Sequence, residues 1–372
     1  MKEKSIGLKI IYAAFIIIIC SSWILWFFLE KYTDTTNYEN RQMAEQPRLT
    51  LDTYRQFSMK FNSYFNDNIP FRNSLVTLNN AIDYFVFKRS SDSRVAIGSD
   101  NWLFYCSVAD GDPIACYKGE NLLSEDELSD IAANCINQRD YLDSLGKEFV
   151  IFIAPNKERM YSEYMPGRFG EPAENYRALQ IVTYLREHTD IRIVYPYDEL
   201  MSTKASIEEI IYYKTDTHWN SIGAYVGSRA LLHELGVEMP ALDSGEITIE
   251  NRGSKSGDLA GFIGLAKSLE FADSEYSIEG YDKHGYNNLN GDQNGVALRS
   301  AENADKRRLY VFRDSFASAM IPYLGSQFNE SCFRHYSSYS YDDFISYDPD
   351  IFVYETVERY VGRLATFAVK AE

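Results

Sequence analysis

The chain has 372 residues, 45% of them apolar, and a formal net charge of −17, so it is long enough for one large α/β domain with additions. The acidity excludes nucleic acid and anionic lipid surfaces as partners of its bulk and disfavours a strongly polyanionic polymer. The 29 tyrosines and 22 phenylalanines supply a core first and a surface for sugars or partners second.

In chain order, residues 8–29, LKIIYAAFIIIICSSWILWFFL, are almost wholly apolar. A bilayer-crossing helix needs roughly 20 such residues, whereas a secretory signal has a shorter apolar region and a small-residue cleavage site. Lys2 and Lys4 precede the run, so residues 1–7 are expected in the cytoplasm, with the body of the chain outside a single-pass anchor. Residues 30–92 read as a stem and helical lead-in, with a helical pattern from Leu51 to about Lys88 that breaks at Pro70. Val95 to Tyr105, VAIGSDNWLFY, alternates around a Gly-Ser-Asp-Asn turn and predicts a β-hairpin. Cys106 and Cys116 bracket a turn that would let them close a small disulfide loop.

From residue 93 onward short apolar strands alternate with helices. Ser124 and Glu127 form a capping box, Leu128, Ile131, Cys135, Leu142 and Leu145 follow at helical spacing, and Gly146 ends the helix. Cys135 on that apolar face reads as a buried small hydrophobe. EFVIFIAP is a continuous apolar run, as buried parallel strands are. A helix from about Asn175 to His188, the strand IRIVYP, and EEIIYYKTD come next. Asn220 then caps a helix to about Leu235, closed by Gly236. Residues 241–305 are expected to be loops and small strands inserted into the domain. RLYVF, a helix from about Phe316, SCFRHY (containing Cys332) and DIFVYETVERY complete the pattern. The alternation predicts a doubly wound parallel sheet.

Ligands of open α/β sheets gather at the carboxyl ends of the strands, so the residues after each strand are the candidates. After RLYVF comes RDSF, residues 313–316. A serine at such a strand-to-helix turn has an exposed hydroxyl, with the first free N–H groups of the helix beside it to hold an oxyanion. The alternative is plain N-capping by Asp314 or Ser315. Asp216 and His218 stand two residues apart, before Asn220, so they meet if the segment is extended or bent by a turn. Together these three residue types form a nucleophile, a base and its orienter: Ser315, His218 and Asp216. Asn156 follows the VIFIAP strand and is a second candidate for the oxyanion. Lys157 is read as a site residue or a structural pair, Arg313 as a neighbour of the nucleophile or a salt-bridge partner, and Trp219 as a pocket wall or packing under the helix. His335 ends a strand and is expected to line the site. His188, His233 and His284 read as surface or helix-face residues, and Glu358 and Arg359 as a pair with each other. No Cys or His cluster points to a metal, and no cofactor is expected.

These pieces resemble the DHHW / alginate O-acetylation protein group of SGNH-hydrolase-like acyltransferases. The resemblance is carried by TDTHWN (215–220), VFRDSF (311–316), APNKERMYSEYMP (154–166), FNDNIPFR (65–72), GSDNWLFY (98–105), PDIFVYETVERY (349–360) and ENRQMAEQP (39–47). Thr217 stands where the family name has its first His; the second, His218, is the one that matters there. The resemblance implies a flavodoxin-like three-layer domain, circularly permuted because the nucleophile follows the Asp-His pair. It also implies O-acetylation of an extracellular polysaccharide, with acetyl supplied by a membrane-bound O-acyltransferase partner. The rival expectations are a carbohydrate acetylesterase with the same three residues, and a non-catalytic membrane-anchored scaffold that binds glycan.

Overall fold

The computed structural model describes residues 2–29, 31, 42–281, 285–291, 296–302 and 305–370. Most of the stem before residue 42, including the start of ENRQMAEQP, lies outside the described residues, as does His284. The chain forms two compact units, Met1–Ser91 and Asp92–Glu372.

The first unit is helical: α1 (Lys2–Leu29), α2 (Tyr54–Asp67) and α3 (Arg72–Phe85). Helices α2 and α3 part just before Pro70, as a proline that restricts its predecessor requires. Ile10, Phe15, Ile16, Phe27 and Phe28 of α1 are exposed. Among the described residues, however, no helix is long and apolar enough to cross a membrane, so the span expected at 8–29 finds no support here.

The second unit opens with the hairpin β1 (Val95–Ile97) and β2 (Leu103–Tyr105), followed by α4 (Pro113–Lys118) and α5 (Glu125–Ser144). The capping box of α5 is formed as its sequence predicts, and Gly146 closes the helix at φ 71°. Then come β3 (Glu148–Ala154), the single turn α6 (Lys157–Met160), α7 (Arg177–His188), β4 (Arg192–Val194), α8 (Tyr197–Ser206) and α9 (Ser221–Glu234). The insert supplies β5 (Thr248–Ser256), α10 (Asp258–Phe262), β6 (Ala272–Glu279), β7 (Asn287–Gly291) and β8 (Val296–Ser300). The remainder is β9 (Asp305–Arg313), α11 (Ile321–Gly325), β10 (Phe328–His335), α12 (Tyr341–Tyr347) and β11 (Ile351–Val357).

Seven strands make the main sheet, in the order β4-β3-β11-β9-β10-β8-β7. The first five are mutually parallel. The expected parallel sheet is thus present, and the small strands of the insert add to its edge, β8 antiparallel to β10 and β7 antiparallel to β8. Strand periodicity sorts the core into two. Val150, Phe152, Leu309, Val311, Ile351 and Val353 face one side and pack with α9. Their alternates Phe149, Ile151, Tyr310 and Phe352 face the other and pack with α5 and α7. This is the three-layer arrangement that continuous apolar strand runs demand.

Two expectations are corrected. EEIIYY, which reads as a strand leading to Asp216, forms none: Ile211 and Tyr212 are fully buried in irregular chain whose β-pairing is a single bridge from Tyr212 to Trp219. Cys106 and Cys116 are free thiols, because each faces a different backbone carbonyl, of Ser93 and Gly111 respectively. Burial pushes both up to about 11. Cys135 and Cys332 are buried.

Candidate functional site

Ser315 lies two residues beyond the end of β9, exposed at the carboxyl edge of the sheet. The turn that carries it is built by its neighbour. Asp314 accepts the N–H of Phe316 on Oδ1 (2.8 Å) and that of Val357 on Oδ2 (2.7 Å), while its own N–H donates to Glu355 (3.0 Å). The end of β9 is thus tied to the end of β11. A short 3₁₀ turn, Phe316–Met320, follows instead of an α-helix. Capping therefore falls to Asp314, and the Phe316 N–H is not free for an oxyanion. The Ser315 N–H is the first candidate donor of that turn.

His218 comes from a tight loop, residues 213–218, between α8 and α9. The Tyr213 N–H donates to the His218 carbonyl (3.2 Å) and the Asn220 N–H to the Ile211 carbonyl (3.0 Å), which pinches the loop at its base. Asn220 also caps α9, accepting from the N–H groups of Ile222 and Gly223. Within the loop Asp216 Oδ1 accepts from both the backbone N–H (3.0 Å) and Nδ1 (2.7 Å) of His218. A turn, not an extended segment, brings the pair together. His218 Nε2 lies 2.8 Å from Ser315 Oγ. One hydrogen-bonded chain therefore runs Asp216–His218–Ser315, across 97 residues of sequence between its last two members. Asp216 is buried, which by itself raises a carboxyl. The hydrogen bonds and charge of His218, with help from Lys255, outweigh that and hold it well below the usual carboxylate range.

The insert holds this loop in place, which the sequence did not reveal. Asp273 accepts the N–H groups of Lys214 (2.9 Å) and Thr215 (2.8 Å) and the Thr215 hydroxyl (2.6 Å). Asp258 accepts the N–H (2.8 Å) and hydroxyl (2.7 Å) of Thr217, and its own N–H reaches Asp216 Oδ2 (3.2 Å). Gly257 passes so close that a Cβ there would stand 2.1 Å from the Thr215 carbonyl oxygen. Among the described residues, ligating atoms of Asp216, His218 and Asp258 lie within 4.8 Å of one another and are the one group able to hold a cation. Asp258 already gives both oxygens to Thr217, so hydrogen bonding accounts for the cluster.

The other candidates separate by position. Lys157 is 1% exposed, and its ammonium donates to the carbonyls of Tyr213 (3.3 Å), Lys214 (3.2 Å) and Asp216 (2.5 Å). Burying an ammonium costs several kcal/mol unless it is well solvated by protein. Three carbonyls and the nearby acids supply that, and the result is a peg under the His218 loop. Trp219 is also buried, and its Nε1 donates to the Phe316 carbonyl (3.0 Å), so it packs beneath α9 and ties the loop to the nucleophile's turn. Asn156 is 2% exposed with both side-chain polar atoms unpartnered, and no hydrogen bond joins it to Ser315. β11 separates its strand from β9, so its backbone is two strand spacings away, on the order of 10 Å. Arg313 donates to the Asp314 carbonyl and the Ser318 hydroxyl (both 3.1 Å). His335 sits opposite Arg313 in the β9–β10 register and bonds Ser337 (2.7 Å). His188 and His233 lie on helix faces, bonding the Tyr184 carbonyl and facing Glu238. Glu358 and Arg359 do not pair with each other: Glu358 faces Arg159 (3.7 Å), and Arg359 lies near the Tyr105, Phe316 and Tyr360 rings.

Comparison with known proteins agrees with this architecture. The protein family described as "SGNH hydrolase-like domain, acetyltransferase AlgX" matches residues 95–287. A probable alginate O-acetylase AlgJ of Pseudomonas putida is 28% identical over 191 residues, 50% of this chain and 46% of that protein. Its counterpart in Azotobacter vinelandii is 27% identical over 225 residues, 58% of this chain and 53% of that protein. The chain therefore spans about half the length of the curated relatives it matches. The structure of Bacillus cereus PatB1 superposes with a TM-score of 0.51 at 14% identity, covering 75% of this chain and 99% of that one. At that identity the likeness is one of fold.

Proposed function

We infer, since the chain belongs to the SGNH hydrolase-like family of the acetyltransferase AlgX, that it transfers acetyl groups to hydroxyls of an extracellular or cell-wall polysaccharide. The observation that carries this reading is the continuous contact from Asp216 through His218 to Ser315, at 2.7 and 2.8 Å. In the first half-reaction His218 Nε2 takes the Ser315 proton as Oγ attacks the donor's acyl carbonyl. The tetrahedral oxyanion is met by the Ser315 N–H, and by the buried Asn156 amide only if its side chain swings toward the turn at Ser315; His218 returns its proton to the leaving group. In the second, an acceptor hydroxyl gives its proton to His218 and attacks the acyl carbonyl, the bond to Ser315 Oγ breaks, and His218 returns the proton to Oγ. Asp216 stays ionised throughout, fixing the tautomer and balancing the imidazolium. The nucleophile following the Asp-His pair in sequence supports a circularly permuted SGNH domain. Names of the relatives support a polysaccharide acceptor, and acyl supply by a membrane-bound O-acyltransferase is part of the reading. An anchor at residues 8–29 with the Asp92–Glu372 unit outside the membrane is part of this reading, and its support is the apolar run of the sequence with Lys2 and Lys4 before it.

One observation favours a second reading. Ser315 is exposed, so water can reach an acyl-enzyme, which would make the protein a carbohydrate acetylesterase. The test is exposure to 4-nitrophenyl acetate with peptide mass spectrometry and a transfer assay to oligosaccharides. Acetyl is expected on the Ser315 peptide and a Ser315→Ala chain is expected to lose activity by on the order of 10⁴-fold or more. A Ser315→Ala chain that still supports polymer acetylation in cells would leave only the glycan-binding scaffold. Acetyl-Ser315 that passes to water but never to sugar would make it an esterase.

A further inference from the structure

Beside the nucleophile's turn, at the carboxyl ends of β9 and β11, lies a hollow of about 200 Å³. Residues 312–314 and 354–356 line it, and Tyr336 and Arg363 stand over it. The chain leaves β3 toward β4 on one side of the sheet's centre and leaves β9 toward β10 on the other. Crevices at such divergence points are where open α/β sheets take ligands.

Three features of the lining point to one kind of occupant. Tyr336 is 42% exposed, and its ring borders the Arg363 guanidinium at 4.7 Å. Arg363 has no carboxylate in ion-pair range among the described residues, and it rests on the Tyr336 and Tyr360 rings. Glu355 is 2% exposed, and its Oε1 has no hydrogen-bond partner. Burial, then the neighbouring Asp314, raise its carboxyl well above the ordinary range. A part-exposed aromatic ring flanked by His335 and Arg363, a planar cation with open donors and a carboxyl oxygen without a partner suit a polyhydroxylated ring. Its C–H face lies on the aromatic ring while its hydroxyls meet the polar groups. The volume is below the roughly 300–1,000 Å³ of pockets for larger ligands, which limits the occupant to a single ring.

We propose that this hollow seats one sugar ring of the acceptor chain, next to the ring whose hydroxyl reaches Ser315. The proposal rests on the transfer reading above and adds where the acceptor lies.

The experiment compares the full chain with its Tyr336→Ala, Tyr336→Phe and Arg363→Gln variants. Two rates are measured: acetylation of Ser315 by 4-nitrophenyl acetate, and transfer from acetyl-Ser315 to neutral glucan, amino-sugar and uronate pentasaccharides. Tyr336→Ala and Arg363→Gln should acetylate at the unaltered rate but show KM for the pentasaccharide raised about three- to ten-fold, the worth of one aromatic contact. Tyr336→Phe keeps the ring and should transfer as the unaltered chain does. Unchanged KM in Tyr336→Ala overturns the proposal. So does an equal fall in both rates, because the residue then serves the nucleophile. If Ser315 of the unaltered chain is never acetylated, the transfer reading fails on its own. The hollow is then judged by calorimetric binding of the same pentasaccharides, and equal binding by the unaltered and Tyr336→Ala chains overturns it.

Discussion

Asp314 and Glu355 show how much of the candidate site depends on residues that need touch no substrate. Asp314 gives both its oxygens to backbone N–H groups, and Glu355 receives the Asp314 N–H in turn, so two carboxyls sit together in a buried place. Burial first and the charge of Asp314 second push the Glu355 carboxyl well above its ordinary value, which lets the two coexist. The sign of the resulting pH effect follows from proton counting. Above the ordinary Glu value of 4.5 the unfolded chain releases this proton while the folded chain keeps it. Stability therefore falls as pH rises from there to the raised value, by up to about 1.4 kcal/mol per pH unit. Glu355→Gln keeps an acceptor for the Asp314 N–H and has no proton to lose. Its melting temperature should decline less than that of the unaltered chain between about pH 5 and about pH 8. Other buried groups, such as Glu158 and Glu358, contribute alike to both curves. Thermal melts across that range check this, and parallel curves would show that Glu355 is charged when folded.

The element that decides the site is the loop 213–218, held from three directions by Lys157, Asp258 and Asp273. Gly257 is where the insert comes nearest. A methyl group there would stand 2.1 Å from the Thr215 oxygen and 2.4 Å from the Asp216 nitrogen, so backbone has to move. Gly257→Ala should cost about 1–3 kcal/mol of stability and still fold. Acetylation of Ser315 should fall about 10²-fold, as expected for a misplacement near 1 Å. Denaturation and burst kinetics on the same sample measure both; a full burst would mean that the insert does not position His218. The strands β3, β9, β10 and β11 and the box on α5 were legible because each is local: an apolar run, a cap, a period. Asp216, His218 and Ser315 were legible as residue types placed around predicted elements, and the structure brings them together. Asp258 and Asp273 were not, since their partners lie more than forty residues away and no local pattern marks them. The run EEIIYY reads as a strand by composition, yet Ile211 donates its N–H to the Tyr161 hydroxyl and buries its side chain in a loop. Glu355 left one clue, a charged residue inside the apolar run FVYETV.

At the scale of the whole chain, α1 and the Asp92–Glu372 unit are separate matters. If α1 is an anchor, the full chain should stay with membranes through an alkaline carbonate wash. Protease added to the outside of intact cells should remove the second unit. Release of the full chain into the wash would end the anchor reading. The sheet carries a consequence of its own. β11 lies between β3 and β9, yet both of those precede it in sequence by many residues. A ribosome emits the flanks long before the keystone, so a nascent chain stopped ahead of residue 350 has two half-sheets with bare edges facing each other. Asp314 then has no Val357 amide to grip, and the serine it steers is assembled only when that late segment threads the gap.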